Sequence, residues 1–237
     1  MEQIEKLNER VSVVISPAHR FGTDAFLLAH FAAPRRKDVA CDLCTGCGII
    51  PLIWAKGDAP RESYGVELQP AAAGQFRRSI ELSGVGQRVH CIESDLKELR
   101  GKLPFAQFDL VSCNPPYKAA GSGIESGMEA ERIARHEVCC TTEDVCKAAA
   151  QLLRFGGRLC LCQRPERLAD VLCAMRSAGI EPKRLRFVAK HADTEPWLFL
   201  VEGKKGAKPF MRVEPVLAVE EKTGGFTKEV LMAYGKV

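Results

Sequence analysis

Apolar runs and helical periodicities alternate along this chain. Asp38-Val39-Ala40-Cys41-Asp42-Leu43 reads as a strand, and a turn with two glycines, Cys44-Thr45-Gly46-Cys47-Gly48, leads into a helix begun by Ile49 to Ala55. Ser63 to Glu67 is a second strand, followed by a helix over 71–82 that stops before Gly84. Arg88 to Ile92 and Phe108 to Cys113 are the third and fourth strands. Thr141-Thr142-Glu143-Asp144 offers a capping box for a helix to Leu153. Gly156-Gly157 predicts a turn into strand Arg158 to Cys162, and Glu166 to Ser177 is a further helix. Lys183 to Ala189 and Trp197 to Glu202 complete the sheet, with Val213 to Val219 as an added edge. Before the first strand come a strand at Val11 to Ile15 and a helix capped by Thr23 or Asp24. The succession is βαβ, so the fold class is α/β: a mostly parallel sheet with helices on both faces. Residues 117–137 form a long polar, glycine-rich connection of the kind used as a lid or left disordered.

With 237 residues, the chain suits one domain: a segment over 1–37, a core over 38–203 and an extension over 204–237. No stretch approaches the roughly eighteen apolar residues of a membrane span, and the start lacks a signal peptide's basic and apolar regions. The expectation is a cytoplasmic protein whose eleven cysteines are reduced thiols, several of them small core residues. Cys41, Cys44 and Cys47 have a metal-like spacing. Cys41 nevertheless falls inside a strand and Cys47 between turn glycines, so no metal is expected. Trp197 is expected in the core.

Ligands of such sheets sit at the carboxyl ends of the strands, near the switch in strand order. There the turn over 42–48 lets backbone approach a ligand, and the helix after it presents free N–H groups. Glu67 can accept hydrogen bonds from two ribose hydroxyls, and Asp95 one from an amino group such as that of an adenine. A nicotinamide site would show a longer glycine pattern, but Pro51 stands three residues after Gly48.

The fourth strand runs into Asn114-Pro115-Pro116-Tyr117. Two prolines stiffen the loop and leave their carbonyls free as acceptors, and the Asn114 oxygen is another. Such acceptors suit a planar –NH2 group with two donors to place, and Tyr117 offers a face on which a ring can stack. An amino nitrogen conjugated to a ring is a poor nucleophile. Acceptors on its hydrogens favour density at nitrogen and aim the lone pair.

With these elements in place, the chain resembles the Rossmann-like, class I S-adenosylmethionine-dependent amino methyltransferases, which implies a seven-stranded sheet. More narrowly, it resembles the family that N6-methylates the adenine beside the anticodon of valine tRNA. Phe21-Gly22-Thr23-Asp24-Ala25-Phe26-Leu27-Leu28, Ile133 to Glu137, Leu198 to Lys205, Glu214 to Leu217 and Gly225-Phe226-Thr227 carry that narrower likeness. The resemblance implies S-adenosylmethionine held by Gly22, Thr23, Asp24, Asp42, Cys44, Thr45, Gly46, Gly48, Glu67, Asp95 and Asn114. It implies a catalytic tetrapeptide of Asn114, Pro115, Pro116 and Tyr117, in which Asn114 and Tyr117 hold the adenine. The class usually has glycine where Cys44 stands, and the side chain there narrows the room beside the cofactor.

The formal charge of +4 permits RNA without demanding it. Phosphate contacts are expected from Lys118, Arg132 and Arg135, and from the tail at Lys204, Lys205, Lys208 and Arg212. His136 is expected to anchor the long loop. The clusters at 35–37 and 183–186 read as solvated loops. Three other readings are a release-factor-type protein-glutamine methyltransferase, an rRNA amino methyltransferase and a non-catalytic RNA-binding module. About thirty-seven residues before the first strand are too few for the helical bundle of the first of these.

Overall fold

The computed structural model describes residues 2–115 and 140–237. Pro116, Tyr117, Lys118, Arg132, Arg135 and His136 lie outside the described residues. The elements run β1 (Gln3–Lys6), β2 (Ser12–Ile15), α1 (Thr23–Ala32), β3 (Val39–Leu43), α2 (Ile49–Ala55), β4 (Glu62–Glu67), α3 (Pro70–Ser83), β5 (Val89–Glu93) and β6 (Phe108–Cys113). After the undescribed stretch come α4 (Thr142–Leu152), β7 (Leu153–Gln163), a 3-10 turn (Pro165–Arg167), α5 (Leu168–Ser177), β8 (Ile180–Ala189) and β9 (Pro196–Lys205). The tail adds β10 (Arg212–Val213), β11 (Leu217–Ala218) and α6 (Lys228–Tyr234).

The main sheet has the order β10-β8-β9-β7-β6-β3-β4-β5, with β11 also paired to β8. From β7 to β5 all neighbours are parallel, and β9 runs antiparallel between β7 and β8. The seven expected strands are present, and two two-residue strands extend the β8 edge. The edge strand expected over 213–219 is therefore broken in two. Pro215 interrupts it, since proline cannot donate to the ladder.

Both faces of the sheet are covered. Ala40, Leu110, Cys160, Cys162, Leu198 and Leu200 pack beneath α1, α2, α3 and α6. Their strand neighbours Cys41, Val111, Leu159, Leu161, Phe199 and Val201 pack beneath α4 and α5. Burial on both sides is why these strands read as unbroken apolar runs. Cys41 and Cys47 belong to opposite faces, and Trp197 is half-buried against the α1 face.

Three local readings are corrected. Gly156 and Gly157 lie inside β7 rather than in a turn. Gly156 has φ +77°, and a Cβ at Gly157 would lie 2.9 Å from the Phe108 carbonyl oxygen. The pair forms an irregularity against β6, where the register shifts between Phe108 and Leu110. Gly22, not Thr23 or Asp24, caps α1. The side chains of Thr23 and Asp24 are drawn to tertiary partners instead. The clusters at 35–37 and 183–186 do not share one fate. Arg184 donates to the Phe31 carbonyl and Arg186 to that of Pro215, so both leave the solvated surface. By contrast, the capping box at Thr141 forms as read, with Thr141 and Asp144 exchanging hydrogen bonds.

Candidate active site

The strand order reverses at β3: the chain proceeds to β4 and β5 on one side, then crosses to β6 and β7 on the other. Leu43 at the carboxyl end of β3 pairs with Val66 of β4 and with Cys113 of β6. The turn over 44–48, Glu67 and Asn114 are thereby brought to one crevice.

Three residues of the turn are left-handed: Cys44 at φ +55°, Gly46 at +60° and Gly48 at +80°. The Thr45 amide donates to the Val66 carbonyl oxygen (3.0 Å), which ties the turn to β4. Gly46 is open, with nothing within 4 Å of where a Cβ would stand, so a ligand can meet its backbone. Gly48 is needed for packing, because a Cβ there would lie 1.8 Å from the Phe76 ring. A side chain at Cys44 adopts a conformation costing about 1–2 kcal/mol outside glycine. Its thiol reaches Cys140 at 3.9 Å and packs on the α4 side of the sheet.

Glu67 is 4% exposed. One carboxylate oxygen accepts the Gly46 amide and the other the Gln69 amide, both at 2.8 Å. Each oxygen keeps a second lone pair, so the carboxylate both fixes the turn and retains capacity for a pair of hydroxyls. Asp42, wholly buried, accepts the Ser112 hydroxyl at 2.5 Å. Burial pushes its carboxyl up to about 7. Asp95 accepts the Lys97 amide at 2.9 Å and stays half-buried beyond β5.

Asn114 follows β6 directly. Its amide nitrogen donates to Asp24 of α1 (3.0 Å), and its oxygen accepts the Cys162 thiol of β7 (3.0 Å). Asp24 can only accept when ionised, so it decides which way the amide faces. The other Asp24 oxygen accepts the Ala25 amide at 3.0 Å. A Cβ at Gly22 would crowd that oxygen at 2.6 Å, which is the local reason for glycine there. The Thr23 hydroxyl lies 3.0 Å from that of Tyr234, so the tail helix α6 braces the start of α1.

Hydrogen bonds, close contacts and strand register bring together Gly22, Asp24, Asp42, the turn over 44–48, Glu67 and Asn114, while Asp95 stands beyond β5. The tail cations fall elsewhere. Lys204 pairs with Arg158 in the ladder, below the Leu161–Cys113 level of the crevice. Lys205 donates to the carbonyl oxygens of Ala150 (2.5 Å) and Leu153 (2.8 Å), so it closes the end of α4. Sequence reasoning missed Cys162, Ser112 and Tyr234. It also missed Gly65, where a Cβ would strike Phe76 at 2.5 Å; a glycine inside a strand was the available signal.

The family model described as "Methyltransferase small domain" matches residues 20–172. The chain belongs to the methyltransferase small domain family. A curated protein of Yersinia pseudotuberculosis named tRNA1(Val) (adenine(37)-N6)-methyltransferase is 32% identical over 145 residues. That match takes in 61% of this chain and 56% of the relative, so the chain spans little more than half of that protein's length. Among solved structures, a predicted O-methyltransferase from Agrobacterium tumefaciens superposes with TM-score 0.70 at 23% identity, covering 90% of this chain and 96% of that one. M. jannaschii TYW2, solved in complex with AdoMet, gives 0.58 at 16% identity, covering 86% and 85%. These two likenesses show the fold, that of class I S-adenosylmethionine-dependent methyltransferases. The family's cofactor, S-adenosylmethionine, fits the residues present: a buried carboxylate with spare lone pairs stands beside an open glycine backbone. Among the described residues no cluster suited to a metal ion is found, and no helix is long and apolar enough to cross a membrane.

Proposed function

We propose that the protein transfers a methyl group from S-adenosylmethionine to N6 of an adenine in tRNA, beside the anticodon of valine tRNA. The observation that carries this reading is the Asn114 amide, held between Asp24 and Cys162 at the rim of the β3 turn. The name of the Yersinia relative supports the substrate.

Bound S-adenosylmethionine supplies an electrophilic methyl group on a sulfonium. Glu67 would receive the ribose hydroxyls, Asp95 the adenine amino group of the cofactor, and Gly46 its backbone-facing edge. Gly22, Thr23 and Asp24 would lie at the methionine end. Asn114 Oδ1 has a second lone pair, and the Pro115 carbonyl is a further acceptor. Together they hold the two hydrogens of the target amine and turn its lone pair to the methyl carbon. Neutral oxygens also stabilise the positive charge that develops on that nitrogen. No strong base is needed before transfer, because the lone pair attacks first and the proton leaves afterwards. Tyr117 is assigned the stacking role from its place in the motif. An adenine in a loop is easily splayed out, unlike one in a duplex.

The test is transfer of a labelled methyl group to total tRNA, with rRNA and total protein as parallel acceptors. Digestion of labelled tRNA should release N6-methyladenosine. Label in protein as methylglutamine, or in rRNA alone, would overturn the reading.

A further inference from the structure

At the amino end of the parallel strands, away from the crevice, two phenyl rings stand in solvent. Phe155 is 76% exposed and Phe210 75%, the most exposed large apolar side chains among the described residues. Both rings attach to the loop between β9 and β10. Gly206, at φ +71°, lies beneath the Phe155 ring, and a Cβ there would meet that ring at 2.2 Å. One side of the phenyl thus rests on glycine backbone while the rest is open. Lys183 ties the second ring to the same loop: its ammonium donates to the Lys208 carbonyl (3.1 Å) and lies 5.6 Å from the Phe210 centroid.

Cations stand on either side of these residues in the chain and ladder: Lys204 lies 3.5 Å from where a Cβ at Gly156 would stand, and Lys208 and Arg212 flank Phe210 by two positions. Lys204, Lys208 and Arg212 are exposed, and among the described residues none of the three is paired with a carboxylate. Other basic residues nearby are already engaged. Lys205 closes α4, Arg184 lies over the Phe31 ring and donates to the Phe31 carbonyl, and Arg186 pairs with Glu229. What remains is two open aromatic faces among exposed positive charges. A polyanion with flat bases matches both features. Phosphates answer the cations, and every base has a π-face that can stack on phenyl. A duplex hides those faces, so the pairing favours unpaired nucleotides.

We propose that this surface is a second RNA-binding site for a single-stranded or looped segment, with bases on Phe155 and Phe210 and phosphates on Lys204, Lys208 and Arg212. It rests on the tRNA reading above and adds to it where the RNA is gripped outside the reacting centre. Phe155 precedes Leu161, the strand partner of Cys113, by six positions, or about 20 Å at some 3.3 Å per residue. The site therefore serves a substrate much longer than one nucleotide, contributing to its affinity and leaving the chemical step alone.

The experiment measures binding of unfractionated tRNA, a short single-stranded oligoribonucleotide and its duplex, across a salt series. Phe155→Ala and Phe210→Ala should each weaken single-strand and tRNA binding about fivefold or more, leaving salt dependence unchanged. Phe→Tyr at either position should keep near-native affinity. Removing Lys204, Lys208 and Arg212 together should lower the slope of log affinity against log salt by about 2. Turnover at saturating tRNA and cofactor affinity should match the parent protein in every case. The proposal is overturned if the parent binds tRNA and the double phenylalanine variant binds it within twofold. It is overturned equally by a parental dimer, seen in sedimentation, that the double variant dissociates, because a second copy would then cover the rings. Failure of the parent to bind any RNA would instead bring down the tRNA reading itself, and this proposal with it.

Discussion

Tyr234 offers a stringent test of how the tail and the crevice are joined. Its ring stacks on Phe26 at 4.2 Å and faces Phe226 at 5.6 Å, and its hydroxyl lies 3.0 Å from that of Thr23. Tyr234→Phe removes only the hydroxyl contact, worth about 1 kcal/mol. Tyr234→Ala also removes two ring contacts of about 0.5–1.5 kcal/mol each and the burial of a half-buried ring. The combined loss is roughly 3 kcal/mol for alanine against about 1 for phenylalanine. Urea unfolding monitored by circular dichroism measures both. Thr23 and Asp24 are proposed to stand at the methionine end of the cofactor, so a loosened α1 should also weaken cofactor binding. Titration calorimetry should find a loss of about fivefold or more in Tyr234→Ala, and less in Tyr234→Phe, since each 1.4 kcal/mol is a tenfold change. A wild-type unfolding midpoint in the alanine variant, or lost stability with cofactor affinity intact, would refute the link.

Two further outcomes follow from buried charge. The Asp42 carboxyl titrates near 7 when folded, against 3.8 for the free group, so the folded chain binds more protons between those values. Its contribution to stability is full below about pH 4 and lost as pH rises through 7. Asp42→Asn should therefore flatten the fall in unfolding free energy between about pH 4 and 7 and gain roughly 2–4 kcal/mol over the parent at pH 8. An unchanged slope would contradict this. Lys205→Met keeps the aliphatic stem and loses the ammonium at the end of α4. It should cost about 1–2 kcal/mol in urea unfolding while leaving the salt dependence of tRNA binding as it was. A reduced salt slope would return Lys205 to the RNA-contacting set.

The parallel strands were legible because both faces are buried. Phe108 to Cys113 has the bounds its apolar run suggests, and β3, β4 and β5 fall within a residue, whereas β7 begins five residues earlier than its apolar run because Gly156 and Gly157 stay in the ladder. The ends of the chain were not. Gln3–Lys6 is exposed throughout, so it carries no burial pattern, and its pairing with β2 is a tertiary event. Lys228–Tyr234 spans seven residues, too few for a helical period to declare itself. At the site, Glu67 and Asn114 could be placed because strand ends converge in this topology. The partners of Asn114 could not: Asp24 lies 90 positions away and Cys162 lies 48, joined only by the order of strands. Basic residues were misleading for the same reason. Sequence shows Arg184, Arg186 and Lys205 as charges, and only packing shows that they are bound to carbonyl oxygens.

The central claim concerns one amide that aims an amine. Asn114→Ala, studied in single-turnover methylation of tRNA with calorimetric titration of S-adenosylmethionine, addresses it most directly. Loss of one preorganised partner of the transition state typically costs about 100- to 1000-fold in rate. The account predicts a loss of that order, with cofactor affinity held within about threefold. Turnover close to that of the parent, or parallel losses of rate and cofactor binding, would contradict it.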